Sequence, residues 1–108
     1  MKQISVDEFQ NELKAHGGDA KYDFINVCTP DEYNTCHIEG TRNVPLDELE
    51  SHVDELQEKS HIYVQCRSGN RSRMAIEKLQ SLGIAAELFN IGGGLMAWQE
   101  AGKETNSK

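Results

Sequence analysis

Two prolines, three cysteines and eleven basic residues against eighteen acidic ones narrow what this 108-residue chain can be before any motif is considered. With so little proline, 37% hydrophobic and 27% charged residues, the composition excludes a low-complexity, disordered or fibrous chain. Cys28, Cys36 and Cys66 are too few and too widely spaced for a secreted disulfide framework, and an odd count leaves at least one thiol free. The formal net charge of -7 speaks against nucleic acid as a partner, because a phosphate backbone is bound through clustered Lys and Arg. No stretch approaches the roughly 18 apolar residues of a membrane span, and Met1 to Glu8 holds no apolar run of signal-peptide length. A protein of the cytoplasm, with no membrane partner, is the expectation. A chain this short can still bury roughly two-thirds of its unfolded surface in one core.

What is present alternates between helical and extended signals. Ser5 with Glu8 forms a capping-box pattern ahead of Val6, Phe9 and Leu13, which predicts a helix from about Val6 to Ala15 with Gly17 and Gly18 as stop signals. Tyr22 to Val27 reads as a buried strand, and Thr29 to Glu32 as a turn or the start of a short helix. Leu46, Leu49, Val53 and Leu56 share one face of a second amphipathic helix, and His61 to Gln65 is a strand. Ala75, Ile76, Leu79 and Leu82 mark a helix ending at Gly83, then a strand surrounds Leu88, Phe89 and Ile91. Gly92-Gly93-Gly94 turns into a last helix carrying Trp98, and residues 103–108 are expected to fray. Such alternation with short loops predicts an α/β fold, a mainly parallel sheet covered on both faces.

The informative segment is Cys66-Arg67-Ser68-Gly69-Asn70-Arg71-Ser72, which follows a buried strand and leads into a helix, the strand-end position where α/β sheets bind ligands. Three of the four arginines fall between positions 67 and 73, around this one cysteine. Backbone N–H groups at a helix start favour an anion, and Gly69 permits the tight bend. Making the thiolate dominant at pH 7 needs roughly 2 kcal/mol, of which a helix N-terminus supplies about 0.3–1 kcal/mol. The rest must come from N–H bonds to sulfur and from Arg67 or Arg71. Against this stands the bland reading, a buried and inert cysteine.

This loop resembles the active-site loop of the rhodanese family. Asp31-Glu32-Tyr33, His37-Ile38-Glu39-Gly40, Asn43-Val44-Pro45 and Gly93-Gly94-Leu95-Met96-Ala97-Trp98 agree with the family pattern, so the resemblance covers residues 1–102 as one domain. It implies about five mainly parallel strands flanked by helices, and a sulfurtransferase that needs no cofactor or metal. A donor such as thiosulfate or a persulfide would pass its outer sulfur to Cys66. The Cys66 persulfide would then serve cyanide, a thiol or a protein acceptor. By similarity the amides of residues 67–71, in the run Arg67, Ser68, Gly69, Asn70, Arg71 and Ser72, would cradle the persulfide, with Arg67, Arg71 or Arg73 attracting the donor. The chain departs from the pattern where Asn26-Val27-Cys28 replaces the usual Asp-Val-Arg and where Cys36 replaces a glycine. Both extra cysteines are therefore candidate resolving thiols.

Two rivals remain. A cysteine phosphatase or arsenate reductase encloses five residues between Cys and Arg, whereas Cys66 and Arg71 enclose four, a loop better fitted to sulfur than to phosphate. A non-enzymatic docking module or partner-specific persulfide carrier is the other. His37 and Trp98 read most simply as structural, and the acidic run Asp47-Glu48-Leu49-Glu50 as a solvated helix face.

Overall fold

A computed structural model describes residues Met1–Lys108. Strands β1 (Lys2–Ile4), β2 (Tyr22–Asn26), β3 (Arg42–Asn43), β4 (His61–Gln65) and β5 (Glu87–Ile91) form one sheet in the order β1-β5-β4-β2-β3, and every pairing is parallel. Helices α1 (Val6–His16), α2 (Pro30–Thr35), α3 (Val53–Leu56), α4 (Asn70–Ser81) and α5 (Gly94–Glu100) connect them. None of these helices is long and apolar enough to cross a membrane.

Alternation along the strands divides the core in two. Ile25, Ile62, Val64 and Leu88 face α3 and α4, packing with Leu49, Leu56, Ala75, Ile76 and Leu79. Phe24, Tyr63, Phe89 and Ile91 face the other way, against Phe9 of α1 and Trp98 of α5. Register pairs Phe24 with Tyr63 and Tyr63 with Phe89, so the three rings stack at centroid separations of 4.9 and 4.5 Å across the central strands. The sequence-predicted helix at α1 carries its full capping box: Glu8 N–H donates to Ser5 Oγ at 3.1 Å, and Ser5 N–H to Glu8 Oε1 at 3.2 Å.

Four features differ from the sequence reading. The two edge strands β1 and β3, of three and two residues, are too short for a periodic signal. Helix α1 stops at Gly17 as expected but runs one residue longer, to His16, with Gly17 at a helical φ of -59° rather than a left-handed one. The second amphipathic helix is a 3-10 helix over Leu46–His52 that becomes α-helical only at Val53. Its apolar face is as expected, but the Ser51 hydroxyl donates to Glu48 O at 2.7 Å and competes with regular winding.

Residues 103–108, expected to fray, are docked instead. Trp98 Nε1 donates to Glu104 O at 2.8 Å, His37 and Asn106 exchange backbone hydrogen bonds at 2.9 and 2.8 Å, and Lys103 Nζ donates to Gln10 Oε1 at 2.7 Å. The physical reason is the indole N–H: Trp98 is 4% exposed, and Glu104 supplies the acceptor that water cannot. Deleting residues 103–108 should therefore lower stability by about 1–3 kcal/mol. For a domain near this size that is a fall of roughly 4–8 °C in Tm per kcal/mol. Calorimetry on the truncated chain checks this, and an unchanged Tm would mean the tail contributes nothing.

Candidate active site

Cys66 stands directly after β4, at the carboxyl end of the sheet, and is 1% exposed. From there the chain makes a tight loop, with Gly69 at φ +102°, before α4 begins at Asn70. The bend turns the Gly69 N–H onto Cys66 Sγ at 3.0 Å, and the backbone N–H groups of Ser68 and Ser72 face the same sulfur. In the thiol form Cys66 S–H donates to Ser72 Oγ at 3.4 Å, while the Ser72 hydroxyl donates to Asn90 Oδ1 on β5. Burial pushes the Cys66 thiol up. The Ser72 hydroxyl and the N–H groups of Ser72, Gly69 and Ser68 outweigh that and hold it below its ordinary value.

Two further devices immobilise this loop. At the start of α5 the N–H groups of Leu95 and Met96 donate to the carbonyls of Cys66 and Arg67 at 2.9 and 3.0 Å. That approach requires Gly94, at φ +55°, because a Cβ there would lie 2.4 Å from Cys66 O and 2.8 Å from Arg67 O. From below, the fully buried Gln65 donates Nε2 to Cys66 O at 2.6 Å and accepts from Asn26 Nδ2 at 3.2 Å. Asn43 Nδ2 in turn donates to Asn26 O and Cys28 O at 3.1 and 2.9 Å, so a chain of amides links the ends of β3, β2 and β4. Sequence reasoning missed Gln65, Asn43 and Asn90. Gln65 and Asn90 signalled themselves only as polar residues at or near the end of largely apolar strands, and Asn43 only as part of the Asn43-Val44-Pro45 motif.

The arginines divide by environment. Arg71 forks onto Glu32 of α2, with Nη1 to Oε1 at 2.7 Å and Nη2 to Oε2 at 3.0 Å, and its Nη2 lies 3.6 Å from Cys28 Sγ. The Arg71 guanidinium, together with the Thr29 N–H and hydroxyl, brings the Glu32 carboxyl down to about 2. Glu32 also completes the capping box that begins α2 at Thr29, so the pair fastens α2 to the Cys66 loop. Arg67 is exposed and makes no ion pair, and Arg73 reaches only Asn70 Oδ1, at 3.4 Å. Of the flagged cradle residues, Ser68, Gly69 and Ser72 surround the sulfur, while Arg71 turns to Glu32, Asn70 accepts from Arg73 and Arg67 lines the neighbouring cavity.

A cavity of about 250 Å³ opens beside the loop, lined by Cys28, Cys36, Asp31, Glu32, Arg67 and Leu95 among others. It is open to solvent and has room for a small anion beside the loop. Cys28 is 3% exposed, and burial pushes its thiol up to about 11 against the pull of the Arg71 guanidinium. Cys36 caps the end of α2, is half-buried, and accepts from Gln99 Nε2 at 3.4 Å. His37 stacks on Tyr33 at 4.1 Å, with its Nδ1 at 2.8 Å from Tyr33 O, which is a structural role.

A five-stranded parallel sheet with a cysteine loop of this shape defines the rhodanese-like class, and the chain belongs to it: the rhodanese-like domain family matches residues 9–101. Among curated proteins it is similar to YrkF of Bacillus subtilis, named as a candidate sulfur carrier protein, at 31% identity over 89% of this chain and 50% of YrkF. Among solved structures it matches a rhodanese-like domain protein from Staphylococcus aureus at 27% identity and TM-score 0.79, covering 100% of this chain and 99% of the other. It also matches a thiosulfate sulfurtransferase from Pseudomonas aeruginosa at 27% identity and TM-score 0.86, covering 99% of this chain but 20% of that protein. The chain thus spans about half of YrkF and a fifth of the Pseudomonas protein.

Two outcomes test the site. Ser72→Ala should move the inflection of iodoacetamide alkylation of Cys66 to higher pH, because the sulfur loses a hydroxyl donor. An unmoved inflection would leave the amides alone responsible. Glu32 has a folded value depressed below its unfolded one, so its contribution is present above about 4.5 and lost as pH falls towards about 2. The stability gap between wild type and Glu32→Gln, measured by urea unfolding, should therefore be widest at neutral pH and close between pH 5 and pH 2. The pair is partly exposed, so the gap is reduced by solvent screening.

Proposed function

We propose that this chain transfers sulfane sulfur through a persulfide on Cys66. The observation that carries the reading is the set of N–H groups converging on one buried sulfur, with the Gly69 N–H at 3.0 Å. In the first half-reaction the Cys66 thiolate attacks the outer sulfur of a donor such as thiosulfate. The donor S–S bond breaks, and sulfite leaves with the electron pair. In the second, a thiolate or cyanide attacks the outer sulfur of the persulfide and returns Cys66 to its thiolate. The amides that hold the first anion equally suit the second, so neither half-reaction needs a new counter-charge.

Arg67 is the residue we assign to drawing in the anionic donor, since it is exposed, borders the cavity and carries an uncompensated charge. Arg71 spends its fork on Glu32 and holds α2 in place. That pairing also weighs against a phosphatase, whose arginine must turn inward to the equatorial oxygens. The printed names of YrkF and of the Pseudomonas protein support sulfur as the cargo, with a small donor or a protein partner on either side. Three free thiols suit a reducing compartment such as the cytoplasm.

The test is intact-protein mass after incubation with thiosulfate. Wild type should gain one sulfur, about 32 Da, and Cys66→Ser should gain none. If Cys66→Ser kept wild-type sulfur uptake, the assignment of Cys66 would fail. Arg67→Ala should raise the KM for thiosulfate and flatten its rise with salt, whereas an unchanged KM at low ionic strength would remove Arg67 from donor capture.

A further inference from the structure

Cys28 lies against Cys66, in a position the persulfide cycle above does not use. Strands β2 and β4 are in register to their ends, with Asn26 opposite Gln65, and the Val27 N–H still donates to Gln65 O at 2.9 Å. The chain at positions 27 and 28 therefore continues beside Cys66, and neighbouring strands run about 4.8 Å apart. Continued one residue past the strands, the register sets Val27 opposite Cys66 and Cys28 one residue further on; with a rise of about 3.3 Å per residue the diagonal Cα separation is roughly 6 Å, within the about 4.4–6.8 Å that a disulfide needs. Both sulfurs belong to the same buried cluster, and the N–H of Arg67, the residue that follows Cys66, faces Cys28 Sγ. The Arg71 Nη2, at 3.6 Å from Cys28 Sγ, is the positive group beside the second thiol. Cys36 is placed differently. It lines the same cavity as Cys28 but packs against the cluster of Phe9 and Trp98 on the other face of the sheet, and it engages Gln99.

Resting on the Cys66 persulfide reading, we propose that Cys28 is a resolving thiol that attacks the inner sulfur of that persulfide when no acceptor collects the outer one. The Cys28 sulfur bonds to Cys66 Sγ and the sulfur–sulfur bond of the persulfide breaks. The outer sulfur departs with the electron pair, takes the proton from Cys28 and leaves as hydrosulfide, HS⁻. The two cysteines are oxidised to a disulfide and the sulfane sulfur is reduced to sulfide, so no external oxidant enters. An external dithiol then reduces the Cys28–Cys66 disulfide and resets the site.

The surroundings of Cys28 set the order of events. Burial and the Glu32 carboxylate of α2 keep it protonated, while Arg71 of α4, the Arg67 N–H and the neighbouring Cys66 complete its charged and polar environment. A thiol held mostly protonated is a slow nucleophile, so an external thiolate acceptor has the first opportunity at the outer sulfur. Resolution is then the fate of a persulfide that waits. Proximity compensates in part, because an intramolecular thiol acts at high effective concentration.

The experiment uses the full reduced chain under anaerobic conditions, incubated with thiosulfate and freed of excess donor. It follows released sulfide, intact mass and non-reducing peptide maps over time. Wild type should pass from the adduct at about +32 Da to a species about 2 Da below the reduced chain, with a 28–66 linkage and roughly one sulfide per chain. Cys28→Ser, and Cys28→Ala as a second variant of different polarity, should accumulate the +32 Da adduct and release sulfide roughly tenfold more slowly or less. Equal sulfide release and no 28–66 peptide in wild type would overturn the proposal while leaving the Cys66 persulfide intact. A 36–66 linkage in wild type that persists in the Cys28 variants and disappears in Cys36→Ser would overturn it in favour of Cys36. No adduct in any variant would sink the persulfide reading and this step with it.

Discussion

A sulfur that must carry negative charge while 1% exposed can be stabilised only by donors that are already in place, and the rest of this fold follows from supplying them. Water is excluded, so the compensation comes from N–H groups of the loop that begins α4 and from the Ser72 hydroxyl. Those donors converge because Gly69 adopts a φ of +102°, which a side chain would resist. The parallel sheet supplies the other half of the geometry. It brings β4 to an end where α4 begins, so the sulfur meets the unsatisfied amides of a helix start.

Donors aimed at one atom are useful only if the loop cannot relax away from it. Helix α5 holds the carbonyls of Cys66 and Arg67 from one side, and Gln65 holds the Cys66 carbonyl from another. Both contacts use the carbonyl oxygens and leave the N–H groups for the sulfur, so support and chemistry do not compete for the same atoms. Asn90 extends the same logic from β5: its Oδ1 accepts from Ser72 and its Nδ2 donates to Gly69 O at 3.3 Å. The Ser72 hydroxyl thus stands within hydrogen-bond reach of both the Cys66 sulfur and Asn90 Oδ1.

Much of this was legible in the sequence because the signals were local. Ser5 with Glu8, the apolar runs at β2, β4 and β5, Gly83 and the Cys66 loop each act within a few residues, and the structure has them as read. What escaped notice depends on contacts far apart along the chain. The edge strand Lys2–Ile4 exists because β5 offers it a partner, and the tail is ordered because Trp98 needs an acceptor. Arg71 looked like a donor-binding charge because its partner Glu32 is 39 positions away. Asn26 and Asn43 stand out in the sequence only against the family pattern and Gln65 not at all; that their amides form one chain shows only when three strand ends meet. Local chemistry predicts the nucleophile; only tertiary contact shows which charges around it are free.

The departure at Asn26-Val27-Cys28 gains meaning from that same distinction. Where the family pattern has an acid and an arginine, this chain has an amide that donates to Gln65 and a thiol that takes the space beside Arg71. An aspartate at position 26 could not donate to Gln65 Oε1, so the buried amide chain and the substitution belong together. With no arginine at position 28, the Glu32 carboxylate has Arg71 as its cation, and the loop's nearest charge is neutralised by a fixed pair. The groups that favour ionisation of Cys66 are then hydrogen-bond donors more than a neighbouring cation, and Arg67, exposed and outside any ion pair, is the arginine left free beside the cavity. That pair of departures from the family pattern therefore leaves the free positive charge outside and a second thiol in the same buried cluster as the first.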